Sequence, residues 1–157
     1  MPSAFKELLP VLDSVTAGYL VDFLLHCGHQ LLINASAGEA TGIIIVIKGD
    51  YLLGASVGDS EAWGVDSESI DDLTQHQRYK PLLGSGSALP VGFERNKVAQ
   101  SIIVATDGLF KYAKATDIAQ CVRNAKGGAL MDELLSLVRL PSGNYADDIG
   151  IVVYSDG

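Results

Sequence analysis

An α+β fold built on antiparallel sheets is predicted for this chain, and three observations predict it. Helical periodicity occupies the first part, β-branched runs joined by tight turns follow, and helical spacing returns before a last β-rich segment. Helices, then hairpins, then helices build antiparallel sheets flanked by helices. A doubly wound sheet would need strands and helices in strict alternation.

The elements follow in order. Phe5, Leu8, Leu9 and Leu12 recur at helical spacing, as do Leu20, Phe23, Leu24 and Cys27, so residues 1–35 read as a helical lead-in. Pro10 and Gly18 interrupt it, giving two helices or one kinked helix. Ser36 to Gly42 is small and glycine-rich, a turn. Gly42 to Lys48 carries the run Ile43-Ile44-Ile45-Val46-Ile47, which suits a strand buried on both faces. Gly49-Asp50 makes a hairpin turn into a return strand, Tyr51 to Val57, and Glu61 to Val65 continues the meander after Gly58-Asp59-Ser60. Asp66 to Gln100 is polar, with scattered Gly and Pro, and reads as a long irregular loop. Ser101 to Ala105 is a buried strand ending in Thr106-Asp107-Gly108. Helices are predicted over Thr116 to Asn124, with Thr116 as N-cap, and over Ala129 to Val138, with Gly127 and Gly128 separating them. Ile149 to Tyr154 closes the chain as a strand.

The 157 residues match one domain, spanning 1–157, with enough chain to bury a core. Hydrophobic residues make up 48% and charged residues 19%, a globular composition that excludes disorder as the main state. The net charge of −8 argues against unaided nucleic-acid binding, which needs a basic surface to displace phosphate counterions. Apolar runs such as Ile43 to Ile47 are far too short to cross a bilayer. Met1-Pro2-Ser3 lacks the basic region of a signal peptide. The cysteines, Cys27 and Cys121, stand far apart with no zinc-ligand spacing. A reducing, cytoplasmic setting is the expectation.

Two acidic sites stand out by position. Asp107 leaves the end of an apolar strand and precedes Gly108; Asp147 and Asp148 precede another. If those strands are antiparallel neighbours, Asp107 and Asp147 meet at one sheet edge. Two carboxylates held close repel, and a divalent ion such as Mg²⁺ or Mn²⁺ with oxygen ligands resolves the repulsion. Metal-bound water is then a natural nucleophile for a phosphoester. The plainer alternative is that Asp-Gly after a strand is a common turn and that Asp-Asp before a strand is solvated. His26 and His29 around Gly28 fit no zinc spacing, and the reading there is a helix ending at Gly28 with solvated imidazoles. Trp63 and Phe110 either rim a pocket or pack in the core. Glu39 is a candidate to reach the metal edge, and Asp156-Gly157 reads as incidental.

Three segments resemble a known family in its own order. Gly54-Ala-Ser-Val-Gly-Asp-Ser-Glu-Ala62 resembles the strand–turn–strand carrying Gly-Asp-Ser-Arg-Ala in protein phosphatase 2C domains. Ile103-Val-Ala-Thr-Asp-Gly-Leu-Phe110 resembles their Ser/Thr-Asp-Gly-Leu segment, and Tyr145-Ala-Asp-Asp-Ile-Gly-Ile-Val-Val153 resembles their closing Asp-Asn/Asp and strand. Pro81 to Gly86 and Leu137 to Gly143 look like a bacterial branch. The resemblance covers about residues 36 to 157.

It implies a four-layer α-β-β-α sandwich, a two-metal Mg²⁺ or Mn²⁺ centre and hydrolysis of phosphoserine and phosphothreonine in proteins, within bacterial signalling. Asp107 and Asp147 would be metal ligands, Gly108 would hold the turn, and Asp59 would serve a third, loosely held metal. A flap would span residues 63–100, with His76 and Arg78 as candidate phosphopeptide contacts. The family's Asp-Gly-x-Gly-Gly motif, whose Asp bridges both metals, has no counterpart here, nor has its phosphate-gripping Arg. The fold is therefore expected to be N-terminally truncated relative to the family, with no catalytic residue assigned. Lys111 stands where relatives often carry an acidic residue, and an ammonium there disfavours a cation. The alternative reading is a non-catalytic, partner-binding domain of the same fold. Its uncovered strand edges would invite a protein partner or a homo-oligomer. Neither reading calls for nucleic acid or a membrane.

Overall fold

The computed structural model describes residues 16–34 and 38–155. The predicted helix at Phe5 to Leu12, Pro10, Ser36 and Asp156-Gly157 lie outside the described residues. In chain order the elements are α1 (Ala17–Ile33), β1 (Gly42–Lys48), β2 (Tyr51–Val57), β3 (Glu61–Val65), β4 (Ile70–Asp72), β5 (Val91–Arg95) and β6 (Ser101–Ala105). Then come α2 (Asp107–Phe110), α3 (Ala115–Asn124), α4 (Gly127–Val138) and β7 (Ile151–Ser155).

Two antiparallel sheets result, one in the order β1-β2-β5 and one in the order β4-β3-β6-β7. Side chains alternate across each strand, and the alternation sorts three apolar layers. Leu53, Ala55 and Val57 of β2 pack with Leu20 and Leu24 of α1. Leu52, Ala62 and Ile102 meet between the sheets, with Ile43, Ile45 and Ile47 packed beside them. Trp63, Val65, Ile103 and Ala105 face Ile118, Val122, Leu130 and Leu134 of α3 and α4. The molecule is thus the expected α-β-β-α sandwich. Arg95 on β5 ties the sheets together at one side, its guanidinium donating to both carboxylate oxygens of Asp71 on β4 at 2.6 and 3.0 Å.

Several expectations are corrected. β1 does have both faces apolar, but it is an edge strand and its residues are only half-buried. β3 does not continue a meander: it pairs with β4 and β6 in the second sheet. The chain changes sheets at Gly58, whose φ is +106° and where a Cβ would lie 2.5 Å from Thr41 Cγ2. Only glycine fits that crossing. The stretch 66–100 is not irregular throughout, since it holds β4 and β5. Helix α1 runs through Gly28 to Ile33, because Gly28 is buried against Leu83. Gly127 and Gly128 open α4 and do not precede it, and Thr116 is the second residue of α3, whose N-cap is Lys114. The last strand starts at Ile151, two residues later than read. Among the described residues no helix is long and apolar enough to cross a membrane.

Candidate functional site

Strand β6 is apolar and buried nearly throughout, so its polar C-terminal neighbours emerge at the sheet edge. Strand β7 pairs beside it in antiparallel register, with Ala105 opposite Ile151. That register brings the turn after β6 against the turn before β7. Thr106 clamps them: its N–H donates to Gly150 O at 3.0 Å and its Oγ1 donates to Asp148 O at 3.0 Å. The Gly150 N–H in turn donates to Thr106 Oγ1 at 3.0 Å. Gly108 sits so close to the partner turn that a Cβ there would lie 2.5 Å from Asp148 O. Asp107 and Asp147 therefore belong to adjoining turns, as the strand-end argument expects.

The third sheet strand adds a third turn to this edge. Glu61 opens β3 opposite Ala105, which places Asp59, two residues earlier, at the same end of the second sheet. Asp59 is exposed, and its turn is tied down on three sides. Ser60 and Thr41 share a hydrogen bond of 2.9 Å, Gln77 Nε2 donates to Ser60 O at 2.7 Å, and the Gly58 N–H donates to Arg78 O at 2.8 Å. Arg78 is thereby held beside the Asp59 turn through its backbone. His76, also exposed, lines a separate cavity on the β5 side.

Asp147 is exposed and lines a surface cavity of about 550 Å³ with Tyr145 and Ile149; its Oδ1 accepts the Asp148 N–H at 2.9 Å. Lys111 lies at the end of α2, its Nζ 5.4 Å from the centre of the Tyr112 ring. Trp63 and Phe110 pack on each other, ring centres 4.3 Å apart, as part of the core under α3 and α4. His26 and His29 are exposed on α1, and Glu39 is exposed beside the Ala40–Leu83 bridge.

One group at this edge escaped the sequence reading. Glu61 is half-buried and accepts from Trp63 Nε1 at 2.8 Å. Burial raises its carboxyl above the ordinary glutamate range and the nearby Asp72 charge adds to this, while the Trp63 hydrogen bond opposes it. The signal was its departure from the Arg of the resembling motif.

Whether these side chains suit a two-metal centre is a question of donor count. Three aspartate-bearing turns share one sheet edge, yet among the described residues no group of three or more His, Cys, Asp or Glu side chains comes together to hold an ion. Two aspartates on adjoining turns fit one hydrated divalent cation in part. They fall short of the ligands a pair of metals requires.

No family model matches the sequence, and a search of curated proteins finds no match. Solved structures do match. A serine/threonine phosphatase of S. agalactiae superposes with a TM-score of 0.71 at 16% identity, covering 88% of this chain and 70% of that one. The fold is that of the bacterial serine/threonine phosphatases. Serine/threonine phosphatase Stp1 of Staphylococcus aureus matches with a TM-score of 0.65 at 17% identity over 88% of this chain and 65% of its own. A variant of a bacterial serine phosphatase gives 0.65 at 20% identity over 88% of this chain. The present chain spans 64% of the length of that last structure.

Proposed function

We infer that this phosphatase-fold chain acts on phosphoserine and phosphothreonine in proteins, as a metal-dependent hydrolase, in a reducing cytoplasmic compartment. Asp107 and Asp147 are the carboxylates it brings to a Mg²⁺ or Mn²⁺ centre, Gly108 holds the turn between them, and Asp59 assists from the neighbouring turn. The observation that carries this reading is the β6–β7 register, which sets the Asp107 turn against the Asp147–Asp148 turn through the Thr106 clamp. His76 and Arg78, beyond the Asp59 turn, are the candidate phosphopeptide contacts.

A second reading has its own support. Among the described residues no three-ligand group gathers, which favours a chain that is by itself a weak or silent catalyst and binds a protein partner through the same fold. Mn²⁺ calorimetry beside turnover of p-nitrophenyl phosphate separates the two. Binding and turnover that both vanish in Asp107→Asn support the hydrolase. Binding without turnover supports a metal-retaining remnant of the hydrolase, and no binding at all supports the partner-binding domain. Turnover that survives Asp107→Asn and Asp147→Asn would remove both residues from the site.

A further inference from the structure

A cavity of about 560 Å³ lies between the first turn of α1, strand β5 and residues 73–77. Its axis is β5, an edge strand: β2 pairs with it on one side, and among the described residues no strand pairs with it on the other. Alternate N–H and C=O groups of such a strand point outward and can take up a further strand; Glu94 O already accepts from the Arg95 guanidinium at 2.9 Å. The lining comes from both faces of the sheet. On the outer face stand Ala17 and Gly18, the first residues of α1, with Ala17 packed over Gly92. On the inner face stand Ser56, Phe93, His76 and Gln77.

Two of these side chains hold a buried polar atom that is unsatisfied among the described residues. Ser56 is 1% exposed, and among the described residues its hydroxyl has no hydrogen-bond partner, nor has Gln77 Oε1. The carboxamide cannot be turned to relieve this, because Nε2 is committed to Ser60 O at 2.7 Å. A buried polar atom without a partner is destabilising and calls for a complement. Gln77 Oε1 needs a donor, and the Ser56 hydroxyl can take either role. The first turn of α1 offers N–H groups and the positive end of a 17-residue helix, with no acidic residue in that turn and no side-chain cap from Thr16.

A small anion satisfies the helix end but offers nothing to Gln77 Oε1, and the polar groups lie on opposite faces of one strand. An extended peptide supplies donors and acceptors along its length and points side chains to both faces. We propose that this groove receives an extended segment of another protein, added as a strand along β5, with an acidic side chain beside the first turn of α1. The groove shares His76 with the candidate phosphopeptide contacts and Gln77 with the ties of the Asp59 turn, but the strand pairing along β5 calls for no metal ion. Affinity comes from main-chain pairing with Val91–Arg95 and from the inner-face polar atoms. Preference for an acidic residue comes from the positive helix end.

The test pans displayed random peptides against the full chain and measures the enriched peptides by calorimetry and amide hydrogen exchange. The expected peptides carry an acidic residue, slow exchange within residues 91–95, and bind about five- to tenfold more weakly to Ser56→Ala, the loss of one buried hydrogen bond. The free Ser56→Ala protein should melt at the same or a higher temperature than the parent, since its unsatisfied hydroxyl is gone. Replacing the acidic residue of the peptide by Lys should weaken binding about two- to fivefold at low salt. No enrichment would overturn the proposal, as would equal binding to Ser56→Ala. A lowered melting temperature or an unfolded Ser56→Ala chain would show that the hydroxyl is already satisfied. Protected β5 amides in the free protein, or a dimer by light scattering, would show the edge already covered.

Discussion

Gly108→Ala puts the geometry of the candidate metal edge under direct strain. The added Cβ would lie 2.5 Å from Asp148 O, a separation that real Cβ contacts do not show, and the obstacle is backbone that cannot swing away. The two turns must part, and the Thr106 hydrogen bonds to the partner turn at 3.0 Å lengthen with them. Overpacking of this kind costs about 1–3 kcal/mol, within the range set by weakening a few bonds of about 1 kcal/mol each. For a chain of this length that corresponds to a fall in melting temperature of roughly 3–10 °C. Gly128→Ala is the matched control. It lies within α4, nothing stands within 4 Å of its Cβ, and alanine should be neutral or stabilising by up to about 1 kcal/mol. Calorimetric melts of both variants decide the matter. A Gly108→Ala protein as stable as the parent would refute the close seating of the Asp107 turn on Asp148, and with it the shared edge.

Other predictions follow from the core and the titrating groups. Leu134, fully buried between α4 and the second sheet, should cost about 2–5 kcal/mol as Leu134→Ala; Leu140→Ala, at an exposed position, should stay within about 0.5 kcal/mol in urea titration. Glu61 holds its proton to higher pH in the folded chain than in the unfolded chain. Its stabilising contribution is therefore complete below the ordinary glutamate range and is lost as pH rises through the raised folded value. Glu61→Gln keeps an acceptor for Trp63 Nε1, so it should melt higher than the parent at pH 7, with the gap closing in acid; a lower melting temperature at pH 7 would contradict this. Burial, with Glu133 behind it, pushes the Cys121 thiol up. In a Cys27→Ser background its alkylation should therefore set in above the ordinary thiol range, and Glu133→Gln should bring that onset down.

Much of the fold was legible because its decisive strands are locally extreme. The isoleucine run of β1 and the apolar β6 ending in Asp107-Gly108 have few alternatives, and antiparallel pairing of β6 with β7 then fixes the acidic edge. What was hidden depends on distant partners. β4 and β5 are short and polar, and they become strands by pairing with β3 and β2. The passage of β3 into the second sheet turns on Thr41 lying under Gly58, a contact that no local pattern carries. Gly28 reads as a helix end until Leu83 is found against it. At the site, residue positions were readable but side-chain convergence was not. Asp59, Asp107 and Asp147 reach one edge without forming one ligand group.

The most direct test of the shared edge is a double-mutant cycle in Mn²⁺ affinity with Asp107→Asn, Asp147→Asn and the pair together. Carboxylates that hold one ion between them are strongly coupled, so each single variant should lose most of the binding and the double variant little more. Independent, additive losses, or affinity unchanged in either single variant, would mean that the two strand ends do not share a cation.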